Sequence, residues 1–360
     1  MGGVMNKARL RPSSMYRWFE CPGSVRLSEG IEQTTSVAAQ EGTAAHALAE
    51  KCLLLGEKPE YYLGQIIEGV EVTGEMVDAV RVYVNLVRSE SGRPEAKLSF
   101  DGISGTADFL RIDEGQVTVV DFKYGKGLAV EVERNKQLMF YALAASGGQR
   151  NVIIVIVQPR CPHPDGPIRQ VEYTREEMQA FRNELRAAIK RVAKADKAKD
   201  ITKHLKEGDH CRFCPAAATC PKLKAIATDA AKKVFTEASQ ADELAEALRV
   251  VSVLKPWIKS VEDTALAQAK SGNTLPGYAL QPTYSNRRWI DEPSVIKAVL
   301  SADPTLAIFE SQKLKSPAQL EKLLPKDMRY LVKELTTNDA TGVKLVKDDR
   351  AAASSVFERM

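Results

Sequence analysis

Two strand-like runs separated by a tight turn constrain this chain more than any other feature. Residues 105–112 (Gly-Thr-Ala-Asp-Phe-Leu-Arg-Ile) and 117–123 (Val-Thr-Val-Val-Asp-Phe-Lys) flank Asp113-Glu114-Gly115-Gln116. The Asp and Gly of that linker suit a turn, so the segment reads as a β-hairpin. Pairing Ile112 with Val117 sets Asp108 opposite Asp121, where side chains on one face stand about 4.5–5.5 Å apart. Lys123, two residues beyond Asp121, projects from the same face. The rest of that face (Leu110, Ile112, Val117, Val119) is apolar. Facing carboxylates at the end of an apolar strip repel, and a shared site forces one pKa upward. A hard divalent cation such as Mg²⁺, which takes oxygen ligands and keeps waters, removes the conflict. Lys123 then stands where negative charge would develop on a phosphate. A one-residue slip in register would put the acids on opposite faces and leave only a solvated sheet edge.

Around the hairpin the hydrophobic period alternates. Residues 96–100 read as a further strand, and residues 151–158 form an almost wholly apolar run, the pattern of a strand buried on both faces. Helical spacing covers residues 40–55, 74–89 and 134–145, with Gly56 and Gly147-Gly148 as stops. Strands interleaved with helices predict an α/β core, a central mixed sheet flanked by helices. Beyond residue 225 helical patterns dominate (226–270, 293–301 and, less regularly, 306–335), with a strand-like stretch at 277–290. The expected organisation is therefore one domain over residues 1–225 and a mostly helical region over 226–360.

Composition narrows the class. Of the 360 residues, 44% are hydrophobic and 27% charged, which excludes collagen-like, disordered and membrane-spanning chains. No apolar run approaches the roughly 18 residues of a membrane span. Residues 1–11 are basic without an apolar segment, so a cytoplasmic location is expected. A net charge of +4 neither requires nor opposes nucleic-acid binding. Residues 175–206 read as one basic helix, with ten Lys/Arg against five Asp/Glu, able to track a phosphate backbone or simply to face solvent. Arg17, Lys126, Arg134 and the basic–aromatic strip at residues 284–289 are further candidate contacts.

Clustered cysteines in a chain of this size suggest metal ligation. Cys211 and Cys214 have the two-residue spacing of a metal grip, and Cys220 adds a third thiol from the same loop. The fourth ligand is Cys21, at a Pro22-Gly23 turn, or His210, which would suggest Cys₃His zinc. Four thiolates suit structural zinc or an iron–sulfur cluster, and spacing does not separate the two. Cys52 reads as core and Cys161 as a loop thiol.

Asp108 followed by Asp121-Phe122-Lys123 resembles the D…(D/E)-x-K core of the PD-(D/E)XK nucleases, with Ala107 in place of the eponymous proline. Glu41-Gly42-Thr43-Ala44-Ala45-His46 resembles the helix of the RecB-like branch that carries a metal-binding histidine. Gln137-Leu138-Met139-Phe140-Tyr141 resembles that branch's Q-x-x-x-Y helix. Cys21 with Cys211, Cys214 and Cys220 resembles the split set that holds a [4Fe–4S] cluster in AddB-type recombination nucleases and CRISPR-adaptation exonucleases. The chain is also similar to a phage-encoded group of such proteins, over about residues 11–225.

The resemblance implies a restriction-endonuclease-like core. It implies that His46, Asp108, Asp121 and the Phe122 carbonyl hold Mg²⁺ or Mn²⁺, that Lys123 is catalytic, and that Gln137 and Tyr141 position the lysine or the DNA strand. Glu95 is an additional acid to consider near the site. The implied activity is exonucleolytic hydrolysis of DNA with a free end, in recombination, repair or replication, with phage recombination or replication proteins as partners. Two other readings remain: a DNA-binding scaffold on the same fold with a silent nuclease, and a zinc-stabilised protein-interaction module.

Overall fold

Alternating apolar residues build a five-stranded sheet in the order β1 (Arg93–Phe100), β2 (Ile103–Ile112), β3 (Gln116–Phe122), β4 (Asn151–Val157) and β5 (Ile168–Tyr173). All neighbours are antiparallel except β3 and β4, which run parallel. The computed structural model describes residues 9–31, 36–232, 241–310 and 313–347. The parallel pair needs a crossover, and α3 (Lys136–Ser146) supplies it. The mixed α/β class expected from the alternation of patterns is the one observed.

Four helices that pack on the sheet begin where a side chain takes an orphan backbone N–H. Ser36 caps α1 (Val37–Leu55), Thr73 caps α2 (Gly74–Val87) and Asn135 caps α3. Thr174 and Glu177 form a reciprocal capping box on α4 (Arg175–Lys197). Gly56 and Gly147 end α1 and α3 in the left-handed conformation, which costs glycine little.

Two cores result, one per face of the sheet. Leu110, Val117 and Val119 pack with Leu138, Phe140, Phe181 and Leu185 from α3 and α4. Phe109, Val120 and Phe122 pack with Leu48, Val80 and Tyr83 from α1 and α2. β4 contributes Val152, Ile154 and Ile156 to the first core and Val155 and Val157 to the second, which is why its sequence is apolar throughout.

The basic helix expected over residues 175–206 stops at Lys197. Arg26 donates to the carbonyls of Ala198 (2.7 Å), Ala195 and Asp196 there, satisfying the acceptors that a continuing helix would have used. A short turn, Ile201–His204, follows with Asp200 as its cap.

The chain divides into two compact units, Met1–Ile258 and Lys259–Met360. The first unit runs past residue 225 because Leu223, Val253 and Trp257 gather around Cys211 and Ala217. The second unit carries more strand than the mostly helical expectation. Residues Ala340–Lys347 pair antiparallel with Tyr278–Tyr284. Residues 306–335, expected to be mostly helical, instead contain a small hairpin (Phe309–Glu310 with Lys313–Leu314) and two short helices, Pro317–Leu323 and Tyr330–Glu334. Val295, Val299, Ile308, Leu320 and Val332 form its core. Among the described residues no helix is long and apolar enough to cross a membrane.

Candidate active site

The β2–β3 ladder keeps the expected register, Ile112 with Val117 through Phe109 with Val120, and then parts. Asp108 and Asp121 therefore do not meet as a ladder pair, as the hairpin reading expected. The Asp108 carboxylate replaces the missing rung: its Oδ2 accepts the backbone N–H of Phe122 at 2.7 Å. Beyond that point β3 keeps its pairing with β4, and the Lys123 N–H bonds the Val157 carbonyl at 2.8 Å. The strands part at a notch, where the two acids lie within electrostatic range of each other.

Four elements bring side chains to this notch. His46, on α1, sets Nδ1 3.6 Å from Asp108 Oδ1. That separation is too long for a hydrogen bond, so the two groups face common space without sharing a proton. The His46 ring also packs 5.3 Å from the Phe122 ring, which stacks on Tyr83 at 5.1 Å, and this apolar wall fixes the imidazole. Lys123 Nζ lies 2.8 Å from Asp121 Oδ2. Beyond that ion pair no hydrogen-bond donor reaches this buried oxygen among the described residues. Gln137, on α3, accepts from Lys123 Nζ at 3.4 Å, and its amide nitrogen reaches the Tyr141 hydroxyl at 3.5 Å. Tyr141 in turn lies against Gly105, where an added Cβ would stand 2.9 Å from the tyrosine ring.

His46, Asp108, Asp121, Phe122, Lys123, Gln137 and Tyr141 are thus gathered at one end of the sheet. Phe122 enters through its backbone N–H and its buried ring. Glu95 lies across β1 from Asp108 in the register of the flanking pairs, and has the left-handed φ of 46°. Burial and the nearby Asp108 and Glu50 push its carboxyl up to about 7. Glu50, one turn after His46 on α1, was not anticipated as part of this acidic group; its i+4 spacing from the histidine was the available signal.

The electrostatics are those of a site short of positive charge. Burial first, and then the Asp121 charge, push Asp108 up to about 6, against the opposing pull of His46 and Lys123. Burial works against the Lys123 charge, yet the two acids hold its pKa above the ordinary lysine value. The chemistry of the donor set, an imidazole and two carboxylates within electrostatic range of each other, fits a divalent cation. Among the described residues no three His, Cys, Asp or Glu side chains are already closed into a cage. Open sites of that kind suit Mg²⁺, which keeps several waters and is commonly held by one or two carboxylates together with substrate phosphates.

These shifts set a pH dependence. The folded protein takes up a proton at Asp108 near pH 6, whereas an unfolded chain does so only near the ordinary aspartate value. Metal-free protein should therefore gain stability, by about 1 kcal/mol, as pH falls from 7 to 5. Thermal unfolding in EDTA at several pH values, with Asp108→Asn as the comparison, checks this. A wild type that loses stability in parallel with the variant over that window would contradict it.

The four cluster cysteines lie in one region, although no three of them are closed into a cage among the described residues. All six cysteines are free. The Lys206 backbone N–H donates to Cys21 Sγ at 3.4 Å, and the Lys206 carbonyl lies 3.9 Å from Cys211 Sγ. Cys21, Cys211, Cys214 and Cys220 lie within electrostatic range of one another. Burial pushes the Cys211 thiol up to about 11, so it is protonated unless a metal claims it. His210, the alternative ligand, is buried with Nε2 2.9 Å from the Lys206 carbonyl. Cys52 is fully buried in the second core and Cys161 is buried as well.

The model of a family described as a protein of unknown function (DUF2800) matches residues 7–352. The chain belongs to that family. It is also similar to a crystal structure described as SSO0001, with 15% identity over 61% of this chain and 88% of that one and a TM-score of 0.27. A crystal structure of an alkaline exonuclease from Laribacter hongkongensis matches with 14% identity over 49% of this chain and 89% of that one, at a TM-score of 0.23.

Proposed function

We propose that this DUF2800 member is a metal-dependent DNA nuclease of the RecB-like PD-(D/E)XK type, acting as an exonuclease on DNA with a free end. The observation that carries the reading is the notch at the parted β2–β3 ends, where an imidazole, two carboxylates and an amine converge. His46, Asp108 and Asp121, with the Phe122 carbonyl, are the groups to hold Mg²⁺ or Mn²⁺. The bound ion would supply an activated water and neutralise charge on the scissile phosphate.

The remaining roles follow from contacts. Lys123 is the donor aimed at negative charge building on phosphate oxygens. Gln137 steadies Lys123, Tyr141 steadies Gln137, and Gly105 leaves room for the tyrosine ring. Arg134 forms an ion pair with Glu184 at 2.8 Å and Arg17 is buried, so neither is offered to DNA. Lys126, on the loop after Lys123, is held more loosely, 4.0 Å from Glu75, and is the better placed. Cys21, Cys211, Cys214 and Cys220 would hold a [4Fe–4S] cluster, or a structural Zn²⁺, as a clasp between the start of the chain and the region after the sheet.

End-labelled single- and double-stranded DNA incubated with Mn²⁺, with Mg²⁺ and with EDTA tests the reading. The expected result is metal-dependent shortening from a terminus with small labelled products. DNA that stays intact with both ions overturns it, and internal cutting of circular DNA overturns the exonuclease part.

A further inference from the structure

Beside the cysteine cluster lies a cavity of about 310 Å³, at the small end of ligand-sized cavities (about 300–1,000 Å³). Its polar lining is Arg191 and Lys194 from the last turns of α4, Lys203, His204 and Lys206 from the segment that follows, and Glu20. Four permanent cations thus share one concavity with a single carboxylate, and that carboxylate is taken up by Lys206 at 2.9 Å. Lys194 and Lys203 have no ion pair among the described residues. Asp200 lies near Lys203 and His204, but its Oδ1 is occupied by the N–H and hydroxyl of Thr202, at 3.0 and 2.5 Å.

The walls are fixed by contacts that do not involve the free lysines. Arg191 donates to the Phe19 carbonyl at 3.0 Å, and the Gly23 N–H donates to the His204 carbonyl at 2.9 Å. A Cβ on Gly23 would stand 2.8 Å from Leu205 and 3.0 Å from that carbonyl, so only glycine lets the two segments close. Lys194 sits at the helix C-terminus, where the dipole favours a cation, which lets the fold tolerate the accumulated charge.

We infer that this cavity is a binding site for a backbone phosphate of the DNA strand, anchoring the strand away from the bond that is cut. The inference rests on the nuclease reading for the identity of the strand. Anisotropy of a labelled single-stranded oligonucleotide in EDTA, over a salt series, tests it with the full chain. Lys194→Glu/Lys203→Glu should weaken binding about tenfold or more and lower the salt slope by about 0.7, the value for one lost phosphate contact. Lys194→Arg/Lys203→Arg should retain both values, and should the Glu pair fail to fold, Lys194→Gln/Lys203→Gln is read the same way. Unchanged affinity and slope in the charge-altered pair overturn the proposal. Full displacement of the oligonucleotide by millimolar inorganic phosphate, against chloride at equal ionic strength, also overturns it, by making free phosphate the ligand. Digestion with Mn²⁺ is scored separately: a chain that binds through these lysines but never cleaves defeats the nuclease reading and leaves the anion site standing.

Discussion

Asp121→Asn is expected to eliminate metal-dependent hydrolysis, by a factor above about 10³, while the chain stays folded. The carboxylate is nearly inaccessible and holds Lys123 at 2.8 Å through Oδ2. Neutralising it removes both the proposed metal ligand and the counter-charge beside the amine. Loss of one preorganised electrostatic partner already costs about 10²–10³ in kcat, so losing the ion as well should cost more. Metal-free Asp121→Asn should melt no lower than wild type, because it relieves the repulsion with Asp108, and Asp108 still faces Lys123. Lys123→Met separates the two roles. It should lose about 10²–10³ in rate while a Mn²⁺ titration still shows binding. Cleavage at the wild-type rate by Asp121→Asn would remove the carboxylate pair from the mechanism, and equal Mn²⁺ affinity in wild type and Asp121→Asn would remove it from the metal site.

The second large effect concerns the cysteines. Cys211→Ser/Cys214→Ser should lower the melting temperature by about 10–20 °C and abolish iron content. The thiols at positions 21 and 211 are separated by roughly 190 residues, and a cross-link closing a loop of that size restricts the unfolded chain by roughly 5 kcal/mol. In a unit of this size each kcal/mol moves the melting point by about 2–4 °C. Anaerobic purification with metal analysis and a visible spectrum identifies the group. Stoichiometric zinc without iron would replace the [4Fe–4S] assignment and keep the clasp. An unchanged melting point together with unchanged metal content in the double variant would remove the clasp altogether.

How much of the site could be read beforehand depends on the distance over which each relation acts. Asp121 and Lys123 share a strand face, and Gln137 and Tyr141 share a helix face, by local geometry alone. The 112–117 pairing followed from turn length, and the observed register is the same. Where the ladder ends was not legible, because the parting depends on the Asp108 carboxylate capturing the Phe122 N–H. The extent of the basic helix was misjudged for a similar reason. Its stop comes from Arg26, about 170 residues earlier in the chain, and not from any breaker in its own sequence. In the second unit the alternation of residues 340–347 went unread, since a half-exposed strand declares itself only beside its partner at 278–284.

By itself, the amino-acid order determined most elements around the sheet and their faces, because hydrophobic period, turn residues and helix caps act within a few residues. It therefore settled the α/β class, the hairpin register and the residue types at the notch. Only the tertiary structure decided that α1 lays His46 against Asp108, that Asp108 and Glu50 crowd Glu95, and that Gly23 closes against Leu205 to shape a cationic cavity. Those are contacts between segments far apart in the chain. Their geometry is fixed by packing against shared cores, a property of the whole unit that no local pattern carries.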